Sequence, residues 1–164
     1  MTLDFHFITP RLAVGGGIWV RENLEEVMRA GITHIINTQM EFDDRTLLDG
    51  DDPSSCRAGL RTSEPQILWL PMDDDFQPKP ARPFFEGAKF ALAAWETPEA
   101  KVLVHCASGI HRAPMVGLAL LRVLGYSRRD ALDLFLSRRP VADFPPAYLD
   151  SVEDFYAEWT LKSD

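Results

Sequence analysis

A chain of 164 residues with a hydrophobic share of 46% is long enough for one domain with a substantial core and short for an assembly of modules. Its formal net charge of −8 argues against nucleic acid or an anionic membrane as partner unless basic residues concentrate on one face, and it disfavours highly anionic substrates. No apolar stretch approaches the roughly 20 residues that span a bilayer, the opening Met1–Phe7 has no basic segment ahead of an apolar core, and two cysteines make no disulfide framework, so a cytoplasmic protein is expected.

In chain order, strands are predicted near residues 11–14, 33–37, 67–70 and 101–105, separated by helical patterns near 20–30 and 82–96. That alternation implies an α/β fold, a single domain over residues 1–164 with a central, mostly parallel sheet flanked by helices. Three helices follow, near 113–124, 127–138 and 145–160. Ser127 and Asp130 have the spacing of a capping box, and Pro145-Pro146 marks a helix start. Phe135, Leu149, Val152, Phe155 and Trp159 are expected to pack these helices together. Residues 41–66, rich in Asp, Ser, Gly and Arg with little apolar periodicity, are too long for an ordinary connection. They form either a flap over a pocket or a tolerated surface insertion. Trp19, Trp69 and Phe76 are candidate aromatic platforms, with core packing the safer reading of Trp69.

The richest stretch is Lys101-Val-Leu-Val-His105-Cys106-Ala107-Ser108-Gly109-Ile110-His111-Arg112-Ala113-Pro114. Val102-Leu103-Val104 has no alternation, the pattern of a strand buried on both faces. The run from Met115 to Leu124 is apolar nearly all round, as in a buried helix, and Pro114 falls in its first turn, where proline is tolerated. Residues 106–112 therefore form a tight loop feeding a helix N-terminus, where free N–H groups and the helix dipole favour an anion. The same field stabilises a thiolate over a thiol at Cys106 and makes it a nucleophile. Arg112 adds a planar fork for two phosphate oxygens, and Gly109 supplies a residue free to take positive φ. The phosphate-binding set is then Ala107, Ser108, Gly109, Ile110, His111 and Arg112.

His-Cys-x5-Arg between a strand and a helix resembles the signature of cysteine-dependent protein tyrosine phosphatases, in its dual-specificity branch. The resemblance extends upstream through Ile8–Gly16, Leu24, Val27 and Ala30–Asn37, and downstream through Gly125–Ala131 and Ser137-Arg138-Arg139-Pro140. It implies a metal-free, cofactor-free hydrolysis of phosphomonoesters in two steps. Cys106 attacks phosphorus while an aspartic acid protonates the leaving oxygen, and water then hydrolyses the phosphocysteine with that aspartate as base. It also implies that His105 orients the loop. Pro71-Met-Asp73-Asp74-Asp75-Phe76 supplies three candidates for the acid. A gap-free register favours Asp75, the placement of Pro71 suits Asp74 better, and Asp73 stands behind both. An acidic, solvated turn is the plain alternative. His111 either contributes substrate contacts at the pocket mouth or faces solvent.

One departure from the family pattern is Ala113, where the family has a serine or threonine whose hydroxyl assists departure of the thiolate in the second step. Arg112-Ala113-Pro114 and Arg138-Arg139-Pro140 are similar to plant glucan phosphatases, and the His-Arg ending of the loop is similar to phosphatases of inositol pyrophosphates, without their basic loop residues. The basic cluster of Arg122, Arg128, Arg129, Arg138 and Arg139 is expected to be mostly solvated, with a minority reaching the pocket. Cys56 is expected to be a free thiol, with a reversible disulfide to Cys106 as the alternative. The leading expectation is a phosphatase of protein phosphotyrosine, extending to phosphoserine and phosphothreonine. A phosphatase of phosphorylated glucan or another non-protein phosphoester is the second, and a non-catalytic phosphate-binding module the third. The partner is a phosphorylated protein or a small phosphoester, and the oligomeric state is left open.

Overall fold

Five strands, β1 (Phe5–Thr9), β2 (Leu12–Gly15), β3 (His34–Gln39), β4 (Gln66–Met72) and β5 (Val102–His105), form one sheet in the spatial order β1-β2-β5-β3-β4. The structure is a computed structural model that describes residues 2–48 and 64–162; Cys56 and most of the 41–66 segment lie outside the described residues. Strand β5 runs parallel to β2 on one side and to β3 on the other, and β4 runs parallel to β3, while β1 is antiparallel to β2. The fold is thus a single-domain α/β architecture with a mixed, mostly parallel sheet.

Strand β1 is absent from the predicted set. It forms a hairpin with β2 across Pro10-Arg11, with Phe7 opposite Ala13 and Thr9 opposite Leu12. Proline's fixed φ and the alternating aromatic residues of Phe5-His6-Phe7 are the local signals for it.

Every residue of β5 is buried, because both faces of the sheet are covered. Leu103 joins Ala13 and Ile35 in a core with Leu24 and Val27 of helix α1 (Arg21–Arg29). Val102 and Val104 point the other way, with Leu12, Val14 and Ile36, into the larger core. That face is covered by α2 (Ala81–Trp95), α3 (Arg112–Val123), α4 (Arg128–Arg138) and α5 (Pro146–Lys162). The continuous apolar run of the sequence is therefore the mark of a central parallel strand.

Helix α3 has ten buried residues, from Arg112 to Leu121. It approaches the sheet closely at Gly117, where a Cβ would stand 2.9 Å from both Phe135 and Val14. One half of the capping box forms, with Ser127 Oγ accepting from Asp130 N at 3.0 Å. Phe135, Val152 and Phe155 are fully buried, with Leu149 and Trp159 packed against them. No helix among the described residues is long and apolar enough to cross a membrane.

This arrangement sends the C-terminal ends of β2, β3 and β5 to one edge of the sheet, where Cys106 follows β5 directly. Ligands of open α/β sheets bind at that edge.

Candidate active site

The loop Cys106–His111 turns from β5 into the first residue of α3 within six residues. Gly109 makes this possible by adopting φ +71, and a Cβ there would meet Arg139 Nη2 at 2.5 Å and the Gly15 carbonyl carbon at 2.6 Å. Only glycine meets both the dihedral and the space. A run of glycines at the end of β2 supports the loop from beneath. Gly15 O accepts from Cys106 N at 3.3 Å, and Gly17 N donates to Ala107 O at 2.9 Å.

Cys106 is 1% exposed, and its Sγ accepts a hydrogen bond from Gly109 N at 3.1 Å. The amide groups of Ala107, Ser108, Ile110 and His111 donate to no backbone or side-chain acceptor among the described residues. Turned into one bend at a helix N-terminus, such groups make an anion cradle.

Arg112 is buried at the first turn of α3. Its Nη1 donates to Met72 O at 3.0 Å and to Glu41 Oε1, and its Nη2 donates to Glu41 Oε2 at 2.9 Å. Its buried Nε has no partner among the described residues. Burial opposes the charge of this guanidinium, but the hydrogen bonds of Glu41 and the charges on Cys106, Glu41 and Asp74 outweigh it and hold its pKa above the ordinary value. In return, the bonds from Arg112 hold the Glu41 carboxyl below its usual range. Glu41 thus fixes the fork's plane through the Nη atoms, and Nε is left without a partner among the described residues. It escapes sequence reading, since it stands 71 positions from Arg112 on the turn after β3.

His105 points away from the loop. Its ring is fully buried, with Nε2 2.6 Å from Asp44 Oδ2, and its backbone carbonyl accepts from Thr38 Oγ1 at 2.8 Å. Asn37 Nδ2 donates to the other Asp44 oxygen at 3.1 Å. The base of the loop is therefore tied to β3 and to the short 3-10 turn Asp44–Leu47.

The three aspartates after β4 part company. Asp75 turns outward: its side chain is 41% exposed and pairs with Lys79 Nζ at 2.6 Å. That hydrogen bond, with the Gln77 amide, holds its carboxyl below the ordinary range. Asp74 turns inward: Oδ2 lies 3.1 Å from His111 Nδ1 in the loop, and Oδ1 accepts from Tyr148 Oη of α5 at 2.9 Å. Of the two favoured aspartates, the structure brings Asp74 to the Cys106–His111 loop and leaves Asp75 at the surface. Tyr148 also accepts from Phe76 N at 3.2 Å, and desolvation is the main reason its hydroxyl resists ionisation.

His111 faces the site with 20% of its side chain exposed. The half-exposed Phe76 ring packs edge-on against it at 4.7 Å. Trp19 packs on Phe42, the sequence neighbour of Glu41, at 5.7 Å. Trp69 is no platform: its Nε1 donates to Gln39 O at 2.7 Å, and Arg45 lies over its ring.

Of the basic cluster, Arg139 alone reaches the loop. The guanidinium is wholly buried, with Nε donating to Gly109 O at 2.9 Å, Nη2 to Asp4 Oδ2 at 2.8 Å, and Nη1 to His6 Nδ1 at 2.8 Å. Asp4 is held ionised by those bonds, its pKa below the ordinary value, so the tie is present at neutral pH and weakens as pH falls through that lowered value. Arg122 instead binds Glu153, and Arg129 is exposed. Arg139→Met should lower stability by about 2–3 kcal/mol, less than a fully enclosed pair because Asp4 can rehydrate. Urea unfolding followed by intrinsic fluorescence measures it, and a loss within about 0.5 kcal/mol would deny the anchor.

Among the described residues no group of three or more His, Cys, Asp or Glu side chains could hold a metal ion.

Comparison with known proteins agrees with this geometry. The family model described as dual specificity phosphatase, catalytic domain matches residues 19–157. Among solved structures, PTPMT1 in complex with PI(5)P superposes with TM-score 0.77 at 19% identity, over 98% of this chain and 99% of that one. DUSP15 gives 0.74 at 22% identity, over 97% and 91%. The human tyrosine phosphatase-like serine/threonine/tyrosine-interacting protein gives 0.74 at 21%, over 96% and 98%. No curated protein sequence matches the chain. A cysteine at the end of a central strand, an amide cradle closing on a helix N-terminus, and a family model spanning most of the length lead to one assignment: the chain belongs to the family of dual-specificity phosphatase catalytic domains.

Proposed function

We propose that the protein is a cysteine-dependent phosphatase that hydrolyses phosphomonoesters through a phosphocysteine intermediate, with Cys106 as nucleophile, Arg112 and the loop amides of residues 107–111 as the phosphate site, and Asp74 as general acid and base. The observation that carries it is Cys106 Sγ within an amide cradle beside a buried arginine whose Nε is unpartnered. In the first step Sγ attacks phosphorus, the P–O bond to the leaving group breaks, and the departing oxygen takes the proton of Asp74. In the second, water attacks phosphorus, gives its proton to Asp74, and the P–S bond returns its electron pair to Cys106. Arg112 and the amides stabilise the charge on the equatorial oxygens throughout.

Asp74 takes the acid's role here in place of Asp75. An acid must carry a proton when it meets the leaving group, and Asp75 is held ionised by Lys79 and turned to solvent. Asp74→Asn should therefore lower kcat by about 100-fold or more on phenyl phosphate, and Asp75→Asn by no more than about threefold, as expected for an exposed pair. Steady-state rates with chelator present decide it; a larger loss in the Asp75 variant would return the role to that residue.

For substrate, the proposal is a phosphotyrosyl protein. Phe76 and the Trp19–Phe42 pair offer apolar flanks to an aryl ring, while Glu41, Asp74 and Asp143 repel further phosphates and residues 107–111 include no lysine or arginine to offset them. A non-protein phosphoester is the second reading, motivated by Arg112-Ala113-Pro114 and by the PTPMT1 structure holding PI(5)P. Parallel release assays on a phosphotyrosyl peptide, phosphatidylinositol 5-phosphate vesicles and phosphorylated starch separate them. The highest kcat/KM is expected on the peptide, and a tenfold preference for either other substrate would overturn that choice.

A further inference from the structure

His111 occupies a place in the loop whose side chain meets three groups at once. Its Nδ1 lies 3.1 Å from Asp74 Oδ2, its Nε2 lies 3.1 Å from Asp143 Oδ2, and Phe76 closes one face of the ring. The Asp143 side chain is 68% exposed, but its backbone is tied to the loop, its N–H donating to Ile110 O at 2.9 Å. The chain of contacts therefore runs from the loop backbone through Asp143 and the imidazole to the carboxyl of Asp74. Phe76 adds a second observation: it is a non-glycine residue at φ +61, a strained conformation that persists only where the surroundings impose it. The Tyr148 hydroxyl imposes it from α5 through the Phe76 amide; the His111 ring packs against it from the loop.

We propose that His111 is a positioning residue for general-acid catalysis: through Nδ1 it fixes the carboxyl of Asp74 over the phosphate site, with Asp143 facing Nε2 on the other side of the ring, an arrangement in which both nitrogens donate when the ring carries both protons. The proposal rests on the reading above that Asp74 is the acid. A carboxyl group has about four lone-pair positions, so Tyr148 on Oδ1 and His111 on Oδ2 leave room for the proton that passes to the leaving oxygen and later returns from water. When Asp74 has given that proton away, both neighbours can donate to the new carboxylate. The acid is thereby held by the loop that holds the phosphate, which keeps the distance between them constant. The remainder of the acid segment does not depend on His111, since Lys79 N donates to Ser151 Oγ at 2.9 Å and Phe76 N to Tyr148; the variants should fold.

The test uses kcat/KM on aryl phosphates of graded leaving-group acidity, with inhibition by inorganic phosphate measured in parallel. His111→Ala should lose about tenfold or more on phenyl phosphate, whose leaving group needs a proton, and no more than about twofold on dinitrophenyl phosphate, which needs little help. Phosphate inhibition should be unchanged. His111→Asn, which keeps a donor near the place of Nδ1, should recover most of the loss. In Asp74→Asn the further change to alanine at 111 should cost almost nothing, because the group it positions is gone. A uniform loss across the esters, or weakened phosphate inhibition, would assign His111 to the loop's shape and overturn the proposal, as would full activity in His111→Ala. If Asp74→Asn itself loses no more on phenyl than on dinitrophenyl phosphate, the acid assignment fails and this inference with it. A leaving-group-dependent Asp74→Asn beside an unaffected His111→Ala would sink the inference alone.

Discussion

Cys106→Ser is expected to abolish turnover, by at least about 10⁴-fold on any aryl phosphate, because the serine hydroxyl is not ionised at neutral pH and no neighbouring base activates it. His105, the nearest histidine in sequence, has its ring turned away into the pair with Asp44 and cannot serve. The fold should survive, since an oxygen is smaller than the sulfur it replaces and Gly109 N can donate to either. Phosphate should still bind, because the amide cradle and Arg112 are untouched. Wild-type protein quenched during turnover should gain the mass of a phosphoryl group, and the serine variant should not. Ala113 bears on the same experiment. It is fully buried at the second position of α3 and offers no hydroxyl to the departing thiolate, so the Gly109 amide is the sole hydrogen-bond donor to Sγ among the described residues. Phosphoenzyme breakdown is thus expected to be slower than its formation, and rapid mixing should show a burst of released phenol. Turnover persisting in the serine variant would refute the nucleophile, and phosphate binding without turnover in the wild type would make the chain a binding module.

Much of this was readable because it is local. The buried strand, the turn at Gly109, the proline in the first turn of α3 and the placement of Cys106 beside Arg112 depend on residues within about a dozen positions of one another, where periodicity and dihedral preference act directly. What was not readable depends on partners far away. Asp74 and Asp75 are adjacent and chemically identical; Tyr148 and His111, which distinguish them, stand 74 and 37 positions on. A register without gaps cannot see such contacts. Arg139 follows the last residue of α4 and leaves helical geometry, at φ −134 and ψ 80, so its side chain turns inward to the loop where a continuing helix would have kept it solvated like its neighbours. Glu41 and Asp44 sit in a polar stretch with no pattern to mark them, and they matter because β3 ends beside β5 in the sheet. Strand β1 is different: its signals were local, but a short polar-aromatic segment at the start of a chain carries little weight until β2 is there to pair with it.

Replacing Arg112 should cost almost as much as replacing the nucleophile, and lysine should not rescue it. The guanidinium makes contacts that no single point charge could: Nη1 and Nη2 meet Glu41, Nη1 also meets the Met72 carbonyl, and Nε has no partner among the described residues, free for a phosphate oxygen on the proposed reading. A lysine ammonium is one point charge with no fork, so binding Glu41 and spanning a phosphate oxygen compete for it. Arg112→Met and Arg112→Lys are both expected to lower kcat/KM by about 10³-fold or more, the range of an arginine that stabilises phosphoryl-transfer charge. Inorganic phosphate should inhibit both variants far more weakly than it does the wild type. The stability loss should be smaller than the burial of Arg112 suggests, since Glu41 is 44% exposed and water can take over its oxygens once the partner is gone. A lysine variant within about tenfold of wild type would mean that the site needs only a positive charge. The planar fork, held in place by Glu41, would then be a structural feature of the first turn of α3 and not part of the phosphate site.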